Sequence, residues 1–152
     1  MDFLRGPSVS FTWQITAPTP PPDSSCSSNS RPGRIITGTN GDDTLIGSSG
    51  ADTINGRGGN DGINGCNRAD VVNGGNGDDR IAGSQGNDIL NGDAGNDLIQ
   101  GDSGNDQISG GNGNDILTGG PRKDHFNCGA GTDTITDFQP GVDTKTANCE
   151  NS

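Results

Sequence analysis

The sequence predicts an all-β repeat protein in which very short strands stack on copies of themselves. Three observations predict it. From Gly38 to Thr136 the chain divides into eleven consecutive nonapeptides with no insertion or deletion. Position 8 of every nonapeptide is apolar, and position 6 is always Asp. Beyond that pattern there is little to build a core from. Of 152 residues 25% are hydrophobic and 3% aromatic, 28 are Gly, and there is no Tyr. Such a composition alone reads as disorder. The strict period argues for order, because self-similarity at a fixed spacing is the signature of stacked repeats.

The units run GTNGDDTLI, GSSGADTIN, GRGGNDGIN, GCNRADVVN, GGNGDDRIA, GSQGNDILN, GDAGNDLIQ, GDSGNDQIS, GGNGNDILT, GGPRKDHFN and CGAGTDTIT. Column 1 is Gly except at Cys128, and column 4 is Gly except at Arg68 and Arg122. Glycines there allow positive φ and close backbone approach, as a tight turn needs. Columns 7–9 read as a three-residue strand with one side chain in and two out. Alone it is unstable; stacked, it gains ladder hydrogen bonds and buries column 8. That column holds Leu45, Ile54, Ile63, Val72, Ile81, Leu90, Ile99, Ile108, Leu117, Phe126 and Ile135. Column 6 holds Asp43, Asp52, Asp61, Asp70, Asp79, Asp88, Asp97, Asp106, Asp115, Asp124 and Asp133. Stacking brings these carboxylates together, which is repulsive unless a cation lies between them. The turn also points carbonyl oxygens inward, and carbonyls with carboxylates form a calcium ligand set.

The pattern G-G-x-G-x-D-x-U-x resembles the RTX, or hemolysin-type calcium-binding, repeat. The resemblance covers residues 38–136. It implies a parallel β-roll, a right-handed two-sheet β-solenoid, with odd repeats building one sheet and even repeats the other. It implies several Ca²⁺ ions between successive turns on each edge. Repeat n would then pair with repeat n+2: Asp43 with Asp61, Asp52 with Asp70, and so on to Asp115 with Asp133, each helped by backbone carbonyls. Arg68 and Arg122 depart from the pattern. A bulky side chain at a turn glycine and its positive charge predict weakened pairs at Asp52/Asp70, Asp70/Asp88 and Asp106/Asp124.

The remaining segments differ. In residues 1–17, Val9, Phe11, Trp13 and Ile15 alternate with Ser10, Thr12, Gln14 and Thr16, one strand of period two without a hairpin partner. It reads as a remnant of a preceding sandwich domain, as a cap pairing with the roll's N-terminal edge, or as a segment without fixed structure. Residues 18–37 form a Pro/Ser-rich linker. Residues 137–152 resemble the closing segment of RTX arrays, with Phe138 and Val142 expected to cover the end of the core. A Cys128–Cys149 disulfide would staple that cap, and Cys26 could reach Cys66 and tie the linker to the roll. Disulfides would imply an oxidising compartment.

A net charge of −11 argues against nucleic acid or an anionic membrane surface as partner. No apolar run is long enough to span a bilayer. The only His, His125, falls at outward column 7, a surface position. Asn55, Asn73, Asn91, Ser109 and Asn127 stack in column 9, either as an amide ladder or as ordinary solvated residues. Val71 with Ile89, and Leu98 with Ile116, form small outer apolar patches. The resemblance implies a non-enzymatic calcium-binding module whose folding is coupled to Ca²⁺, secreted or at the cell surface. The alternative is the C-terminal appendage of a larger secreted enzyme, a protease or lipase, or of an adhesin. No protein partner can be named from the sequence.

Overall fold

The computed structural model describes Cys26 and residues 32–149. The alternating segment at 8–16 and most of the linker lie outside the described residues. Among the described residues there are thirteen strands and no helix, hence none long and apolar enough to cross a membrane. In chain order they are β1 (Ile35–Thr37), β2 (Thr44–Ile46), β3 (Thr53–Gly58), β4 (Gly62–Asn67), β5 (Val71–Asn76), β6 (Arg80–Gln85), β7 (Ile89–Ala94), β8 (Leu98–Ser103), β9 (Gln107–Asn112), β10 (Ile116–Thr118), β11 (His125–Ala130), β12 (Thr134–Ile135) and β13 (Thr144–Lys145).

The odd-numbered strands from β1 to β13 form one seven-stranded sheet, and the even-numbered strands a six-stranded one. Every strand pairing is parallel, and within the repeats the partner lies 18 residues away: Ile54 faces Val72, and Ile63 faces Ile81. Two nonapeptides therefore make one coil, and the chain is a two-sheet parallel β-solenoid, a β-roll.

The full-length strands are twice as long as the triplet read from the sequence. β3, for example, takes columns 7–9 of one repeat and columns 1–3 of the next. The register continues through the glycine-rich half, with Arg57 opposite Gly75 and Gly58 opposite Asn76. Only columns 4–6 turn the corner.

Column 8 is the core. Ile54, Val72, Leu90, Ile108 and Phe126 line one sheet's inner face; Ile63, Ile81, Ile99, Leu117 and Ile135 line the other, all buried. Leu45 is half-buried at the N-terminal end. Ile36, two residues before the first repeat expected at Gly38, starts the seven-stranded column by facing Ile54. Ile35–Thr37, read from the sequence as linker, thus belong to the roll as its first rung.

At the other end Phe138 packs edge-on to Phe126, ring centroids 6.3 Å apart, and Lys145 Nζ lies 5.1 Å from the Phe138 ring centre. Val142, expected beside it, is 42% exposed and does not cover the core. It sits in the turn after Gln139, whose carbonyl accepts its N–H. Both disulfides are formed, Cys128–Cys149 across the cap and Cys26–Cys66 at the linker.

Candidate metal centres

The sheet register stacks the column 6 aspartates along the roll's two turn-bearing edges. Asp52 and the nine after it are buried, and Asp43, at the open end, is half-buried. From Asp61 onward one carboxylate oxygen, Oδ1, has a constant role: it accepts the backbone N–H of the Asp one coil earlier. The distances are 2.7 Å for Asp43 N to Asp61, 2.8 Å for Asp79 N to Asp97, and 2.9 Å for Asp115 N to Asp133. The Asp pairs expected from the sequence are thus neighbours in space, joined through a main-chain amide.

The second oxygen, Oδ2, divides the column. On Asp43 it accepts from Thr39 N and Thr39 Oγ1, and on Asp52 from Ser48 N at 2.5 Å. On the other nine, from Asp61 to Asp133, Oδ2 is buried with no hydrogen-bond partner. A buried carboxylate oxygen without a partner is costly, and here the cost recurs in every repeat after the second. From Asp61 to Asp124 each such oxygen lies beside the column 1 glycine of its own repeat and, in most repeats, a column 1 carbonyl one coil on. A Cβ built on Gly65 would sit 2.5 Å from Asp70 Oδ2 and 3.1 Å from Gly83 O. Glycine at column 1 therefore keeps the Oδ2 site open by close approach. It is not there for backbone conformation, because the positive φ values fall at columns 2 and 4, as at Gly75 and Gly77.

Burial pushes the stacked carboxyls up. Asp70 and Asp97 rise from 3.8 to about 7, and Asp106 and Asp124 to about 6. Asp79, Asp88 and Asp115 shift the same way. In each case desolvation is the main cause, the amide hydrogen bond opposes it, and neighbouring carboxylates add to it. At these seven positions burial favours the neutral carboxyl unless a cation lies beside it.

Among the described residues no three His, Cys, Asp or Glu side chains converge as a metal cluster. An ion held here needs main-chain carbonyls beside the carboxylates, an oxygen-only set suited to a hard cation. On the orphaned oxygens and the glycine cradle, the residues fit Ca²⁺.

Arg68 and Arg122 do not disturb this arrangement. Both take the turn's left-handed conformation, φ 73° and 99°. The amide–carboxylate distances at Asp52/Asp70, Asp70/Asp88 and Asp106/Asp124 are 2.7, 2.8 and 2.9 Å, within the range found elsewhere. The weakening expected at these pairs has no counterpart in the backbone.

Three features escaped the sequence reading. Asp143 continues the even column, accepting Asp124 N at 3.0 Å; its offset of 19 residues instead of 18 hid it. Asp137 accepts both Gly119 N and Gly120 N. Column 5 forms a second ladder in the opposite sense, each side-chain oxygen accepting from the following coil. Asn60 N donates to Asp42, Asp78 N to Asn60, Asn96 N to Asp78, and Asn114 N to Asn96. The abundance of Asn and Asp in that column was the available signal. The column 9 amide ladder is present as one rung, Asn91 Nδ2 to Asn73 Oδ1 at 2.8 Å. His125 is exposed and shares a 2.8 Å hydrogen bond with Thr144 Oγ1.

A parallel β-solenoid with buried carboxylates stacked along both edges defines a carboxylate-lined repeat module. Four copies of the family model for the RTX calcium-binding nonapeptide repeat match residues 36–65, 67–99, 91–124 and 100–135, together more than half of the chain. The chain belongs to that family. No curated protein and no solved structure matches it significantly.

Proposed function

We propose that this protein is a non-enzymatic module that binds several Ca²⁺ ions along both edges of its roll and folds as it does so, outside the cell or at its surface. The observation that carries this reading is the row of nine buried, partnerless Oδ2 atoms. The ligands are Asp61, Asp70, Asp79, Asp88, Asp97, Asp106, Asp115, Asp124 and Asp133, with neighbouring main-chain carbonyls. Asp43 and Asp52 contribute less, because Thr39 and Ser48 already satisfy them. Bound calcium supplies positive charge between coils; the chain supplies pre-aligned oxygens and a dry core behind them. Two disulfides support an oxidising, extracellular setting.

A second reading, an appendage of a larger secreted protease, lipase or adhesin, is favoured by the Pro/Ser-rich sequence at 18–34. The mass of the native protein distinguishes it.

Far-UV circular dichroism of chelator-stripped protein during a calcium titration, with magnesium as control, tests the main reading. A cooperative gain of β signal with calcium alone is expected. A full β spectrum without metal, together with no calcium uptake by calorimetry, would overturn it.

A further inference from the structure

The six-stranded sheet carries a depression of about 300 Å³ spanning β2, β4, β6 and β8. It follows from two small residues. In column 7 Gly62 lies between Thr44 and Arg80, and in column 9 Ala82 lies between Asn64 and Gln100. Leu45, Ile46 and Leu98 add apolar surface, and Arg80 supplies the one charge. The Cys26–Cys66 disulfide is adjacent: Cys26 Sγ is 3.9 Å from Oδ1 of Asn64, which lines the depression. The chain upstream of Cys26 is therefore fastened beside this apolar surface.

We propose that the depression is a docking site for residues 9–15 of the same chain. That segment, Val-Ser-Phe-Thr-Trp-Gln-Ile, has no charge and repeats its apolar residues every second position. Extended, it presents Phe11 and Trp13 on one side, about 7 Å apart, and leaves Ser10, Thr12 and Gln14 to water. Ten residues separate Ile15 from Cys26 and reach at most about 36 Å, enough to span the four strands. Because the segment and the depression share one chain, docking is intramolecular and independent of protein concentration. An indole face is also a favourable neighbour for the Arg80 guanidinium. The occupant is the chain's own N-terminal segment, and its docking does not depend on the metal assignment.

Trp13 is the only Trp and there is no Tyr, so Trp emission reports this segment alone. The experiment compares emission and acrylamide quenching of the full chain in calcium with those of Gly62→Arg, circular dichroism serving as the fold check. A Cβ at Gly62 meets nothing closer than Asp43 O at 4.0 Å, so the arginine fits the backbone and fills the depression. Ala82→Lys fills it independently. The wild type is expected to show blue-shifted, shielded emission independent of protein concentration, and each variant a several-fold rise in quenching with an unchanged circular dichroism spectrum. Three outcomes overturn the proposal. Trp13 could be as open to quencher in the wild type as in unfolded protein. The shielding could survive both substitutions. It could grow with protein concentration, which would make a second copy the occupant.

Discussion

At column 2 the fold asks for a left-handed backbone, and Arg57, Cys66, Ser84, Asp93 and Asp102 supply it with φ between 66° and 86°. A side chain bearing Cβ costs about 1–2 kcal/mol in that conformation. Ser84→Gly is expected to stabilise the loaded roll by about 1 kcal/mol, offset in part by glycine's freedom in the unfolded chain; denaturant unfolding in calcium measures it. Gly75→Ala goes the other way, since φ is 111° and the new methyl would meet the Arg57 backbone. The conformational demand at column 2 was not legible, because only four of its eleven residues are Gly. Columns 6 and 8 were legible because their chemistry never varies. The aspartates give a sharper test. Asp70 and Asp97 carry the same orphaned oxygen, whereas Asp43 does not. Asp70→Asn and Asp97→Asn should raise the calcium midpoint several-fold and to similar extents, Asp43→Asn much less. Equal effects of all three in calorimetric titration would contradict the assignment. Without metal, Asp97→Asn should instead stabilise the fold, because it removes a buried like charge.

The strands show where propensity misleads. Glycine-rich columns 1–3 read as turn, yet in β3 to β9 they continue the ladder in register. Each coil brings its predecessor as a template, and the backbone needs only the partner's amide and carbonyl. The terminal rungs were hidden for the same reason: β1 has no nonapeptide around it, and β13 follows a one-residue insertion. Their value lies in closing the stack. Cys128 and Cys149 are 21 residues apart, and a cross-link of that span contributes about 3 kcal/mol in the chain-entropy account. Replacing both by Ser should lower stability by about that amount and raise the calcium needed for half-folding. Phe138→Ala, which uncovers Phe126, should cost about 2 kcal/mol. Thermal melts at fixed calcium check both, and an unchanged melt in either would mean that the cap is not part of the cooperative unit.

For the whole molecule, the raised carboxyls set the response to pH. Asp70 and Asp97 titrate at about 7 in the roll, and Asp106 and Asp124 at about 6, against 3.8 for an ordinary Asp. The metal-free fold therefore binds more protons than the unfolded chain between those limits. Its stability is greatest at about pH 4 and below, and falls as pH rises through 6 and 7. Calcium reverses the sign, because it takes the deprotonated form. The calcium midpoint should rise steeply from pH 8 to pH 5, with protons released on binding; a midpoint flat across that range would refute the linkage. The global fold was the most legible level, since a strict nine-residue period with one apolar and one acidic invariant leaves few other ways to stack. The assignment of Oδ1 to an amide and Oδ2 to an open site was not legible, because it depends on which coil's backbone lies beside each carboxylate.

The 18-residue register has a mechanical consequence. One coil holds about 60 Å of extended chain but advances the stack by only about 4.8 Å. Under tension, each coil that peels away therefore lengthens the molecule by more than ten times the height it occupied. The calcium-loaded roll would behave as an extensible spring that yields in steps of about 55 Å, with an ion-dependent force at each step. The Cys26–Cys66 and Cys128–Cys149 bridges are hard stops that lock the chain they enclose at the two ends, so the spring pays out only from the coils between Cys66 and Cys128. Pulling single molecules with and without calcium would read both the step and the stop.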